Sequence, residues 1–134
     1  MGNLSITAAD VSPVEVWEKF TGPTVDIITK GMYVRYNTTS GKIEKGNASS
    51  ASEGRMGGIA ITGASVAGIA ITAVRRGIID VGDALGDLAF DADVYLSNTD
   101  ATLATSQGTA PYIIGTVVPA WNASTADKLL RVWC

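Results

Sequence analysis

The chain has 134 residues, 46% of them apolar and only 17% charged, with a formal net charge of −3 and no histidine. That length suits one domain with a single core, and so apolar a composition excludes disorder for the bulk of it. The ten Lys and Arg are scattered with no basic stripe, so nucleic acid is not an expected partner. No run approaches the ~20 apolar residues of a membrane-spanning helix, so no membrane partner is expected either.

Residues 1–22 read as an N-terminal arm. They lack a basic segment followed by an apolar one, so no secretory signal is expected. Ser12-Pro13-Val14-Glu15 has capping-box spacing, with Ser12 as N-cap, Pro13 at the first helical position and Glu15 at the third. This predicts a short helix that buries Val16, Trp17 and Phe20 and stops at Gly22-Pro23. The rival reading is an extended arm whose Trp17 and Phe20 anchor on a neighbouring chain.

Residues 23–134 read as one β-rich domain. Val25–Thr29 is a predicted strand, followed by a turn at Lys30-Gly31. Met32–Asn37 is rich in aromatic and β-branched types, with Val34 and Tyr36 on one face and Tyr33 and Arg35 on the other. A turn at Asn37–Gly41 and a short partner at Lys42–Lys45 complete a hairpin. Gly46–Gly57 is a polar loop. The pentapeptide Gly-Ile-Ala-Ile-Thr then occurs twice, at Gly58–Thr62 and Gly68–Thr72. Its alternation of Ile with Ala or Thr predicts two similar strands joined by Gly63-Ala64-Ser65, with Ile61 and Ile71 in the core. Ile78–Gly82 is a further strand, Asp83–Ala89 a single helical turn, and Asp93–Ser97, Thr102–Thr105 and Tyr112–Pro119 are strands. The apolar run Lys128–Trp133 ends the chain. Many short strands with frequent turn signals predict an all-β fold, a small β-barrel or sandwich of antiparallel strands behind an N-terminal arm with a possible short helix.

Chemistry is sparse. Without histidine there is no Ser-His-Asp or Cys-His arrangement, and the single cysteine, Cys134, builds neither a disulfide nor a zinc site. Its thiol either pairs between chains or sits on a frayed end. No phosphate-binding loop is present. No catalytic residue, cofactor or metal ligand is assigned, and the chain is not expected to be an enzyme. Six aspartates and no Lys or Arg fall between Asp80 and Asp100. The run reads as a solvated face, as a docking surface, or as an ion site at Asp87, Asp91 and Asp93. Asp80 with Asp83, or Asp91 with Asp93, would be the acid–base pair of a glycoside hydrolase. Arg75-Arg76 is either a solvated pair, one on each face, or a contact with an acidic patch on another subunit. Trp17, Trp121 and Trp133 are core residues by default and interface anchors as the rival. The interface residues assigned are Trp17, Phe20, Arg75 and Arg76.

From Val25 to Trp133 one order of motifs stands out. Gly-Met-Tyr-Val-Arg-Tyr, Gly-Lys-Ile and a polar loop precede Gly-Gly-Ile-Ala-Ile-Thr and its repeat. Ala-Val-Arg-Arg-Gly-Ile-Ile-Asp-Val-Gly-Asp-Ala-Leu, Asp-Val-Tyr-Leu-Ser-Asn-Thr-Asp and Ile-Ile-Gly-Thr-Val-Val-Pro follow. This order resembles the small capsid decoration, or cement, proteins of tailed bacteriophages. The resemblance implies a β-rich homotrimer, made in the host cytoplasm and carried on the outer surface of the virion capsid. There it would clamp neighbouring major-capsid subunits, with residues 1–22 reaching across to a neighbour. Two other functions are weighed beside it. One is a tail or fibre domain that binds a host surface glycan through Tyr33, Tyr36, Tyr95 and Tyr112. The other is a carboxylate hydrolase built on Asp80–Asp100.

Overall fold

A computed structural model describes residues 2–54, 57–120 and 128–134. Among them the protein is all-β, with helical structure confined to single 3-10 turns. The strands are β1 (Val11–Pro23), β2 (Tyr33–Tyr36), β3 (Ile43–Lys45), β4 (Gly57–Ala60), β5 (Ala70–Val81), β6 (Asp93–Leu96), β7 (Leu103–Ala104), β8 (Ile113–Pro119) and β9 (Lys128–Trp133). They form one antiparallel sheet in the order β3-β2-β4-β5-β9-β8-β6-β7, with β1 also paired to β5. The sheet curls until its ends are tied by loop bonds: Tyr33 N–H donates to Ala101 O, and Ala48 N–H donates to Ser97 O. The result is a half-barrel, in keeping with the small β-barrel or sandwich that the strand pattern predicts.

The predicted helix from Ser12 to Phe20 is overturned. This segment is the longest strand, paired with β5 from Val11↔Val81 to Pro23↔Ala70. The capping pattern is a local preference worth about 1 kcal/mol, and eleven registered pairs with β5 outweigh it. The expected strand at Val25–Thr29 is reduced to isolated bridges, Thr24 with Ile43 and Ile28 with Ala64. It crosses the end of the barrel, burying Ile28 while Val25 and Ile27 stay exposed.

Strands β2, β4 and β5 have apolar groups on both faces because the wall they form separates two cores. Val34, Ala60, Ile71 and Ala73 face a small core with Phe20, Ile28 and Ile43. Tyr33, Ile59 and Val74 face a larger one with Ile79, Leu96, Ile114, Leu130 and Val132. The expected division of Tyr33 and Val34 between opposite faces is therefore present. Arg35 is also buried, and its charge is held by Glu44 at 2.6 Å.

The two copies of the pentapeptide part company here. Ile59 and Ile71 are buried; Ile61 is only partly so, and Ile69 is 42% exposed. Ile71→Asp is therefore expected to abolish the cooperative thermal transition, since an unpaired buried charge costs several kcal/mol. Ile69→Asp should melt close to the unmodified protein. Equal effects of the two, followed by circular dichroism, would contradict this division of inside from outside.

Cys134 is not a frayed end. It packs against the larger core, and its N–H donates to Arg75 O. Burial pushes its thiol up from 9.0 to about 12, against the pull of Arg75 and Arg76. The phenol of buried Tyr33 is raised in the same direction and by the same cause. Between pH 9 and 12 the unfolded chain loses the thiol proton and the folded chain keeps it. Stability must then fall as pH rises through that window. Urea unfolding should show this fall, and Cys134→Ser should make it shallower; an unchanged slope would remove the thiol from the account.

Candidate interaction surface

The surface begins with a one-residue irregularity. In β5 the register with β1 passes from Glu18↔Arg76 to Lys19↔Val74, so Arg75 is an extra residue. Simple alternation from inward Val74 would turn Ile78 and Asp80 into the larger core. The bulge reverses the parity, and Ile79 and Val81 point inward instead. At the same place β5 exchanges neighbours. Val74 pairs with Ile59 of β4, whereas Arg76 pairs with Trp133 of β9. Gly77 sits just beyond. A Cβ there would collide with the backbone oxygen of Glu15, so only glycine lets β1 approach so closely.

Strand β1 has compensating bulges at Val14 and Trp17. Only Val11 and Phe20 of its residues are buried. What remains outside is an aromatic and cationic cluster on β1, β5 and β9. Trp17 and Trp133 are 48% and 51% exposed and meet edge to face at 6.4 Å. The Arg76 guanidinium lies 4.6 Å from the Trp133 ring centroid, and Arg131 lies 5.2 Å from Trp133 and 5.7 Å from Trp17. The Trp17 indole N–H donates to Glu15 Oε1 at 3.4 Å. Glu18 divides its carboxylate, Oε2 taking Arg75 at 3.1 Å and Oε1 taking Arg76 at 3.3 Å.

Of the four interface residues assigned from sequence, Trp17, Arg75 and Arg76 are brought together here. Phe20 is not. It is 8% exposed and lies 4.6 Å from the Tyr36 ring inside its own chain, so its expected role as an anchor on a neighbour is corrected to a core role. Trp133 joins the cluster through β9, and Trp121 lies outside the described residues. Arg75 and Arg76 are mid-strand and already meet a carboxylate of their own chain. Glu18 and Arg131 were missed by the sequence reading. Their only signal was alternation, Arg131 and Trp133 on one face of β9 and Glu18 beside Trp17.

A second exposed apolar surface lies at the end of the β1–β5 ribbon. Ile27 and Ile69 are exposed there, around an open groove lined also by Ala8, Ala64 and Ser65, and Val66, next in the chain to Ser65, is exposed as well. Six residue steps along β1 lead from Trp17 to Pro23, which pairs with Ala70, a run of ~20 Å. The tyrosines expected to offer a sugar platform do not do so together. Tyr33 is buried with its hydroxyl on Gly54 O, Tyr36 packs on Phe20, and Tyr112 donates its hydroxyl to Ala51 O. Among the described residues no group of three acidic or thiol side chains is arranged to hold a metal ion. No family model matches the chain, and neither a curated protein nor a solved structure matches it.

Glu18 adds a charged side-chain link to the backbone pairing of β1 with β5. Glu18→Ala should destabilise the fold by about 1 kcal/mol, because the pairs are part-exposed and screened. A double-mutant cycle with Arg76→Ala in urea measures their coupling. A coupling of zero would show that the cluster is held by stacking alone.

Proposed function

We propose that the protein is a structural component of a tailed-phage virion that docks on the outer surface of the head and stabilises the capsid by joining neighbouring major-capsid subunits. The observation that carries this reading is the presence of two separate exposed apolar surfaces on one small domain. One is the Trp17–Trp133 wall and the other the Ile27–Val66–Ile69 end. A protein that holds neighbouring subunits together needs two such faces, one for the shell and one for whatever links it to the next site. Trp and Arg are also the residue types that dominate interface energies, and exposed apolar patches mark interaction sites. The motif order from Val25 to Trp133 supplies the kind of assembly. On this reading the protein acts as a homotrimer without cofactor or catalysis. It favours the finished shell because it binds that state and not its precursors, and several contacts per oligomer add avidity.

Co-sedimentation with expanded heads and with unexpanded procapsids tests this. Saturable binding to expanded heads alone is the expected result, reduced by Trp17→Ala or Ile27→Asp. Binding to neither would overturn the reading and move the assignment to a tail or fibre domain, for which a glycan array is the corresponding assay.

A further inference from the structure

The wall that carries the tryptophans also carries a complement to them. The strand register aligns Glu15, Ile78, Arg131, Thr116 and Asp93 in one row across β1, β5, β9, β8 and β6. Residues directly opposite one another share a face, so this row lies on one side of the sheet. The two sides of the wall differ in character. On the β1–β5–β9 side, beyond Glu15, stand Arg76 and, at the middle of the row, Arg131, with the two half-exposed tryptophans. On the other stands exposed Asp93, preceded by a loop that carries exposed Asp87 and Asp91 and Phe90, itself 41% exposed.

These two ends do not satisfy each other within the chain. Two strand spacings put Arg131 and Asp93 about 10 Å apart. Among the described residues neither takes part in an ion pair, the five pairs present being made by other groups. Lys128, beside the acidic loop, is committed elsewhere: its ammonium donates to Gly86 O at 3.0 Å and Leu88 O at 2.5 Å and lies 5.4 Å from the Phe90 ring. At the cationic end, among the described residues, Arg75 and Arg76 share the carboxylate of Glu18 and Arg131 has no ion pair. This end is thus a positive, aromatic island on a chain of net charge −3.

We propose that this wall docks a second copy of the same chain, the Phe90 and aspartate end of one copy lying on the tryptophan and arginine end of the other. Phe90 supplies the apolar anchor between Trp17 and Trp133, and Asp87, Asp91 and Asp93 meet Arg131 and Arg76. Each copy carries both halves, so the contact repeats head to tail around a closed ring, as a homotrimer requires. The inference rests on the reading of the wall as a docking surface. It assigns that surface to self-association and leaves the Ile27–Val66–Ile69 end for the shell.

Sedimentation velocity of the purified protein, over a range of concentrations at low and high salt, is the test. The unmodified protein should associate with rising concentration, and less so in high salt, since the contact is charge-assisted. Arg131→Glu alone and Asp87→Lys/Asp93→Lys alone should each be monomeric, while their mixture should associate again. Rescue by mixing also shows that both variants fold. Trp133→Ala should weaken association about tenfold or more, as loss of an aromatic anchor does. A protein that stays monomeric at every concentration, or charge variants that associate as the unmodified chain does, would overturn the proposal. Head binding is read separately: a monomer that still sediments with heads refutes this inference and leaves the docking reading standing, and a self-associating protein that ignores heads does the reverse.

Discussion

Strand β5 bonds along one edge to β1 and along the other first to β4 and then to β9, and the exchange falls at Arg75–Gly77. Everything else in the molecule follows from how that exchange is accommodated. The extra residue at Arg75 reverses the parity of β5, so that one strand serves the wall between the two cores and then the wall of the larger core. Without it Asp80 would be turned into apolar surroundings, where an unpaired carboxylate is not tolerated. Gly77 makes the bend possible because the Glu15 backbone occupies the space of a side chain.

The same irregularity builds the exposed cluster. The bulge puts Arg75 and Arg76 within reach of one carboxylate, Glu18, and the compensating bulge in β1 places Trp17 beside Trp133. Strand β1 is an edge whose outer side has no backbone partner among the described residues. Its bulges, Pro13 and the charges of Glu15, Glu18 and Lys19 are devices that discourage indiscriminate strand pairing. The exposed aromatic and cationic groups lie on the face instead, where stacked indole and guanidinium groups are held in place within the free chain. A surface so ordered loses little side-chain entropy on binding.

Much of the fold was legible because period-two alternation and turn residues act locally. Strands β2, β3, β6 and β8 fall within the expected Met32–Asn37, Lys42–Lys45, Asp93–Ser97 and Tyr112–Pro119, and the turn after β5 overlaps the expected Asp83–Ala89. The N-terminal segment was misread as helix because Ser12, Pro13 and Glu15 carry a local capping preference. Its partner lies some sixty residues away, in β5, and no window of sequence contains that information. The cluster was half legible for the same reason. Trp17 and Arg75-Arg76 stand out by composition, whereas Glu18 and Arg131 acquire meaning only through the registers of β1, β5 and β9. Phe20 looked like an anchor because it sits in an arm-like stretch; its position opposite Ala73 turns it into the small core instead.

Residues 11–23 are a fixed wall of the barrel in the free protein, and not an arm that orders on a partner. Residue-resolved amide hydrogen exchange of the isolated protein tests it most directly. The account predicts that the β1 amides donated to β5 exchange as slowly as their β5 counterparts, with protection continuing on both sides of the Trp17 bulge. Uniformly fast exchange from Val11 to Gly22, beside a protected β5, would contradict it.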